Sequence, residues 1–346
     1  MTFNDTFLRS IRKESVDHIP VWYMRQAGRY QPSYRKIKEK FSLEQITEQP
    51  ELCAEVTIAP IEQLGVDAAI LYSDIMTPIK PMGIDVEIKA GIGPVISNPV
   101  RTLADVNAMR VPNAKEDLPF VIETIEILVR ELKVPLITFA GAPFTLASYI
   151  IEGGPSRNYY KTKQMMYSAP DVWNALMDKL SDMILSYMKA HIEAGAQAIQ
   201  IFDSWVGSLS QSDYRTYVLP TMKKIFTGLQ ELNVPKIYFG VGTGELMRIW
   251  SELPVDVIGV DWRVPLDQAR ERVGSKFSLQ GNLDPAYLLA PEDVRFAEAA
   301  RILDMGMAQP GFVFNLGHGI FPEADVDVLK RLTDFVHEYS ARRLSR

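Results

Sequence analysis

The strongest constraint on what this chain can fold into is a rhythm. Short apolar runs recur from Ile19 to Leu316, each cut off by a small or polar turn, with amphipathic segments between them. Residues 66–72 (VDAAILY) end in Ser73-Asp74, 134–139 (VPLITF) in Ala140-Gly141-Ala142-Pro143, and 196–202 (AQAIQIF) in Asp203-Ser204. Residues 235–239 run into Gly240-Val241-Gly242 and 255–260 into Asp261-Trp262. Residues 276–279 run into Gln280-Gly281-Asn282 and 311–316 into Gly317-His318-Gly319. With 19–24 these make eight candidate strands, apolar throughout rather than alternating, as strands covered on both faces should be.

Helical segments fill the gaps. The clearest is 171–194, with Val172, Leu176, Leu180, Ile184, Tyr187 and Met188 at helical spacing and Gly195 as its stop. Others fall at 118–132, 214–232, 245–252, 266–273, 291–305 and 325–342, and shorter ones at 5–13, 34–40 and 42–48. Pro50 opens a longer helix, Pro60 should kink or restart it, and Gly65 ends it. Residues 81–99 break the rhythm and read as an inserted hairpin. No repeat, low-complexity tract or linker interrupts the chain. The pattern predicts an α/β protein: one (β/α)8 TIM barrel domain spanning 1–346. A doubly wound open sheet is the alternative, but no strand is followed by the dinucleotide-binding glycine pattern.

Composition narrows the function classes. Apolar residues make up 47% and charged residues 23%, as in soluble globular proteins. A formal net charge of -6 argues against a nucleic-acid or anionic-membrane partner, both of which want a broad basic face. Cys53 is the single cysteine, so no intramolecular disulfide or multi-cysteine metal site is available. The four histidines (His18, His191, His318, His337) lie on unrelated elements, so no metal cluster is expected. The N-terminal stretch lacks the apolar centre of a signal peptide, and no window approaches 18 uninterrupted apolar residues. These features point to the cytoplasm.

Against the acidic background, residues 24–40 (MRQAGRYQPSYRKIKEK) carry six basic residues and Glu39 alone. A charge run is most often a solvated surface. Here Arg25 and Arg29 follow directly on an apolar run, and Gln26, Ala27 and Gly28 between them let the backbone turn tightly. Two guanidinium forks can then converge on one polyanionic ligand.

In a barrel the chemistry belongs at the C-terminal ends of the strands. That face would collect Arg25, Arg29, Asp74, Ser204 and His318, joined by Tyr149: two cations, a carboxylate, two hydroxyls and an imidazole. Each has a plainer reading. Asp74 suits a helix cap, the arginines could be bridged to glutamates, and barrel loops are full of hydroxyls. His318 between two glycines is harder to read as packing. Gly240-Val241-Gly242-Thr243-Gly244 resembles a phosphate cradle but lacks the Lys-Ser/Thr pair that would make it specific.

Taken together, the motifs carry a resemblance. PVWYMRQAGRYQPSYR (20–35) and GAPFTLASYIIEGG (141–154) look like the two signature stretches of the uroporphyrinogen decarboxylase family. LYSDIMTP, IFDSWVG, QGNLDP and NLGHGIFP continue the likeness in order along nearly the whole chain. The resemblance implies a (β/α)8 barrel that works without cofactor or metal, usually as a homodimer. It also implies a small-molecule substrate, uroporphyrinogen III, whose four acetate carboxyls leave as CO2 to give coproporphyrinogen III in haem biosynthesis. Asp74 matches the family's catalytic aspartate, and Arg25 and Arg29 match arginines that bind substrate carboxylates. Arg25 is also a candidate proton donor, an awkward role for so weak an acid as a guanidinium. Tyr149, Ser204 and His318 match substrate-binding positions, and Gln26, Ala27 and Gly28 would add backbone contacts. Lys38 stands where some members carry an arginine and is left out of the catalytic set.

Two rival readings remain. Methyltransferases of the same fold activate a thiol with zinc, which needs a His/Cys/Glu-type site that one cysteine does not supply. A noncatalytic tetrapyrrole carrier would use the same arginines but would not need Asp74.

Overall fold

In a computed structural model, residues 2–89 and 91–345 are described. Strand β1 is Ala69–Ile70, and β2 (Val86–Lys89) pairs antiparallel with β3 (Gly93–Ile96) as the inserted hairpin. Then follow β4 (Leu136–Gly141), β5 (Ala198–Asp203), β6 (Lys236–Gly240), β7 (Val257–Gly259), β8 (Ser278–Leu283) and β9 (Phe312–Leu316). The main sheet has seven parallel strands in the order β1-β4-β5-β6-β7-β8-β9. Because each strand pairs with its successor, every crossover turns the same way and the sheet curls with its helices outside.

The expected first strand, 19–24, is not a member of this sheet. It makes one isolated parallel bridge, Val21 to Phe314. The reason lies in its donors: Pro20 has no N–H, and side chains take the amides of Val21, Tyr23 and Met24. The Val21 amide donates to Asp67 Oδ2 (2.8 Å), the Tyr23 amide to Gln26 Oε1 (3.0 Å) and the Met24 amide to Asn315 Oδ1 (3.2 Å). The segment still touches both ends of the strand order. The Phe314 amide donates to the Pro20 carbonyl (2.9 Å), and the Asp67 amide, just before β1, donates to the Val21 carbonyl (2.8 Å). Strand β1 is short for the same reason, since the Tyr72 amide donates to Thr57 Oγ1 (3.1 Å) instead of continuing the ladder.

Side chains sort by strand face. Trp22, Ile70, Ile137, Ile237, Val257 and Val313 share one cluster inside the curl. Phe7, Leu8 and Ile11 from the first helix (Thr6–Ile11) join it. That helix is tied to the strand starts, where Ser10 Oγ donates to the Phe312 carbonyl (2.6 Å) and Ser278 Oγ to the Ile11 carbonyl (2.7 Å). It therefore plugs the N-terminal end and leaves the C-terminal end for chemistry. Neighbouring residues such as Ala69, Leu136, Tyr238 and Ile258 face outward into the larger cluster shared with the helices. The interior is not purely apolar as expected, because Trp22 Nε1 donates to Gln280 Oε1 (2.8 Å) and Gln280 Nε2 to Gln200 Oε1 (3.0 Å).

Most helices lie where the spacing predicts, with instructive departures. Pro50–Leu64 runs unbroken through Pro60, without the expected restart, and ends at Gly65 with φ 69°. The predicted 214–232 helix is two, Gln211–Tyr217 and Leu219–Gly228, because Pro220 cannot continue the first and opens the second. Residues 245–252 form only short turns, Gly244–Leu246 and Met247–Trp250. Ser42 and Gln45 make a reciprocal capping box on Leu43–Thr47.

Candidate active site

At the C-terminal strand ends, Asp74, Tyr149 and His318 gather around Arg25. Its backbone has φ 62°, a left-handed conformation rare outside glycine, which directs the chain sharply out of the interior. The side chain runs across Gly319: a Cβ placed there would stand 2.6 Å from Arg25 Cδ. Only glycine at 319 lets the guanidinium lie beside His318. The charge of Arg25 acts on Asp74, on Tyr149 and on His318, so those three functional groups share one mouth with it.

Asp74 follows β1 in a turn. Its Oδ1 accepts the Met76 amide (2.8 Å), so the capping reading is half right, while Oδ2 has no partner among the described residues. Burial raises its pKa above the ordinary carboxylate value, and Arg25 opposes that. The result is a carboxylate oriented through one oxygen, the other left without a partner among the described residues.

His318 is the neutral donor of the site. Its Nδ1 accepts the Gly319 amide (2.7 Å), which leaves the proton on Nε2. Burial and the cations Arg25 and Arg263 push its pKa down to about 4 against the pull of Asp261. Tyr149 lies buried on the Pro143–Glu152 helix with its ring edge-on to Trp205, centroids 6.1 Å apart. Ser204 sits half-buried in the turn after β5. That turn is held by Thr145, whose Oγ1 donates to Asp203 Oδ1 (2.8 Å) and accepts the Trp205 amide (3.3 Å). Asp203 is wholly buried, also accepts the Tyr238 hydroxyl (2.7 Å), and has its pKa raised by burial to about 6.

Arg29 lies on the far side of the arginine loop, where its charge acts on Tyr34 and Lys38. The Tyr34 and Tyr72 hydroxyls meet at 2.6 Å and connect that side to the Asp74 turn. Arg110 and Arg263 are paired with Asp117 (2.6 Å) and Asp261 (2.7 Å), whereas among the described residues neither Arg25 nor Arg29 has an ion-pair partner. Both are exposed, and the glutamate bridges allowed by the sequence are absent among those residues.

The backbone between the arginines is largely committed. Gln26 is fully buried, with its side chain bonded to the Tyr23 amide (3.0 Å) and the Ala68 carbonyl (3.1 Å). Its own amide donates to the Tyr23 carbonyl (3.1 Å), and the Gly28 amide donates to Gln31 Oε1 (3.0 Å). Ala27 keeps the one amide of the three without a partner among the described residues. The loop is thus rigid before any ligand arrives, and Gln26 and Gly28 shape it more than they offer donors.

Other sequence signals resolve as structure. The Gly242 amide already donates to Asp261 Oδ2 (2.6 Å), and the Val241 carbonyl lies against Gly207, so the glycine loop is closed by protein. Cys53 donates its thiol to the Tyr72 carbonyl (3.2 Å), and burial pushes its pKa up to about 12, which is inert as a nucleophile. Trp205, Tyr72 and Asp203 belong to the site's surroundings, and as isolated aromatic and acidic residues they carry no spacing signal in the sequence. The expectation that the four histidines stay apart needs correction. His18 and His337 meet at Asp67, with ring centroids 4.3 Å apart, because the C-terminal helix packs beside the first segment.

The family model described as "Uroporphyrinogen decarboxylase (URO-D)" matches residues 2–339. The uroporphyrinogen decarboxylase of Bacillus subtilis (strain 168) is 61% identical over 343 residues, 99% of this chain and 97% of that one. The chain belongs to the uroporphyrinogen decarboxylase family. The enzyme of that name from Halalkalibacterium halodurans is 60% identical over 340 residues, 98% of either chain. Among solved structures, a methyltransferase from Methanosarcina mazei superposes with a TM-score of 0.80 at 21% identity, covering 97% of this chain and 98% of its own. A B12-independent methionine synthase from Shewanella gives 0.56 at 12% identity over 88% and 90%. At such identities these two share the fold alone.

Proposed function

We propose that this mouth removes acetate carboxyl groups from uroporphyrinogen, the activity for which the relatives are named, with Asp74 as the central catalytic residue. As a family member the chain is a carboxy-lyase of haem biosynthesis. One observation carries the assignment of residues. Arg25, without an ion-pair partner among the described residues, acts on a carboxylate whose second oxygen has no partner among those residues. A substrate with eight carboxylates around a ring of pyrrole N–H groups answers both features.

Chemically, each step replaces a carboxylate by a proton. A proton adds to the pyrrole carbon beside the acetate arm, and the ring becomes an iminium-like cation. The bond from the arm's CH2 to its carboxylate breaks, CO2 leaves, and the electron pair flows into the ring. Reprotonation of the exocyclic methylene gives a methyl group, and the ring carbon returns its proton. Positive charge develops at the ring, so a fixed negative charge beside the pyrrole nitrogens lowers the barrier. Asp74, held by the Met76 amide, supplies it without reorganisation. Arg25 and Arg29 hold acetate and propionate groups, and Arg25 relays a proton through water or the leaving carboxyl. Tyr149, Ser204 and neutral His318 donate hydrogen bonds to carboxylates, with the Ala27 amide beside them. Lys38 stays outside the catalytic set.

The test is Asp74→Asn, which keeps the size and the acceptor for the Met76 amide but loses the charge and the second acceptor oxygen. We expect kcat to fall ~100-fold or more with thermal stability unchanged. Near-normal release of CO2 from uroporphyrinogen III would overturn the assignment. Uroporphyrinogen bound tightly without CO2 release by the unmutated chain would favour the carrier reading.

The same proposal covers architecture and setting. We read the curled sheet as one closed (β/α)8 barrel domain with residues 19–24 as its eighth stave. The paired Phe314 and Asp67 amides and the shared interior cluster support closure. The family resemblance alone supports work in the cytoplasm as a homodimer, and sedimentation at the mass of a single chain would overturn the dimer.

A further inference from the structure

The end of the fold opposite the mouth holds an arrangement that the decarboxylation does not use. Asp67 stands two residues before β1, on the side plugged by the first helix, and only 3% of its side chain is exposed. His18 Nε2 lies 3.1 Å from its Oδ1, and His337 Nε2 lies 2.7 Å from its Oδ2. The three ligand atoms, one from each side chain, all fall within 4.8 Å of one another.

We propose that His18, Asp67 and His337 form a site for one divalent transition-metal ion of the zinc class. Ligand atoms 2.0–2.2 Å from a tetrahedral ion stand about 3.4 Å apart, so these atoms, separated by 2.7 Å to at most 4.8 Å, adjust by up to about 1.4 Å to admit it. In the free site each Nε2–H donates to the carboxylate, and the ion takes the place of those two hydrogens. Neither Nδ1 has a partner among the described residues, so each ring proton moves to Nδ1 without breaking another bond. The carboxylate is oriented independently, by the Val21 amide (2.8 Å) and Asn4 Nδ2 (2.9 Å), which is the outer support that metal-bound carboxylates commonly have. An entry path exists, since His18 and His337 are 26% and 23% exposed. Two imidazoles and one carboxylate suit Zn2+, with water in the fourth position, better than Mg2+ or Ca2+. The ion would clamp the N-terminal segment, the start of β1 and the C-terminal helix (Val326–Leu344).

The experiment titrates chelator-treated full-length protein with Zn2+ at pH 7.5, by calorimetry and by thermal unfolding. We expect one ion per chain, a Tm that rises with free Zn2+, and at least tenfold weaker binding in both His337→Gln and His18→Gln. The glutamine amide can still donate to Asp67, so either variant should fold. The Co2+-loaded protein should show the visible absorption of a tetrahedral site, lost in a folded His18→Gln variant. No saturable stoichiometric binding, or binding unchanged in both variants, would overturn the site.

Discussion

At the scale of single residues, burial decides which groups titrate. His191 is fully buried against Tyr187 (ring centroids 4.0 Å), its nitrogens have no partner among the described residues, and desolvation lowers its pKa to about 3. His318 is lowered to about 4. Both are neutral in the folded protein at pH 7, whereas in the unfolded chain they bind protons near the ordinary value of 6.5. The unfolded state therefore gains protons first as pH falls, and stability drops from about pH 6.5 until the folded histidines titrate at about 4 and 3. Between pH 7 and pH 5 each contributes a loss of ~2 kcal/mol. His191→Leu should remove one such contribution, so its urea midpoint should fall less over that interval than that of the unmutated chain. Equal losses would show that His191 is protonated in the folded state.

At the scale of elements, the site depends on how neighbouring turns are fastened. Thr145, near the start of the Pro143–Glu152 helix, donates to Asp203 at the end of β5 and accepts from the Trp205 amide. One hydroxyl thus fixes the turn that carries Ser204. Thr145→Val keeps the shape but leaves Asp203 Oδ1 and the Trp205 amide without their partner. We expect a stability loss of about 1–3 kcal/mol and a KM that rises more than kcat falls. Unchanged KM in the folded variant would mean that Ser204 is placed by something other than this bond. Little of this was readable beforehand. Ser204 could be named from its motif, but the helix that orients it lies far away in sequence. The arginine loop was more legible, because residues 25–29 build their own turn. Even there, the commitment of the Gln26 side chain to Tyr23 and Ala68 depends on a strand segment more than forty residues on.

At the scale of the whole molecule, closure of the sheet makes a measurable claim. If residues 19–24 complete the barrel, the Phe314 and Asp67 amides lie in its wall and open only when the wall opens. Hydrogen exchange should then protect both as strongly as the central amides of β5 and β6, with protection lost together on unfolding. Fast exchange at both positions within a protected sheet would mean a seam that opens locally.

The sequence by itself determined the alternation of strands and helices, the hairpin insert, and the loops that carry charge. Each of these follows from local periodicity, turn residues and proline or glycine placement, which act over a few neighbours. It could not determine that residues 19–24 fail as a regular strand. That outcome rests on Asp67, Gln26 and Asn315 taking backbone donors, and two of these lie outside the segment's neighbourhood. Only the tertiary structure showed that Arg25 and Arg29 lack ion-pair partners among the described residues, and that Arg25 lies across Gly319. Only it brought His18 and His337 onto one carboxylate. Charge pairing and desolvation depend on distance in space, and the chain's order along its length does not encode that distance locally.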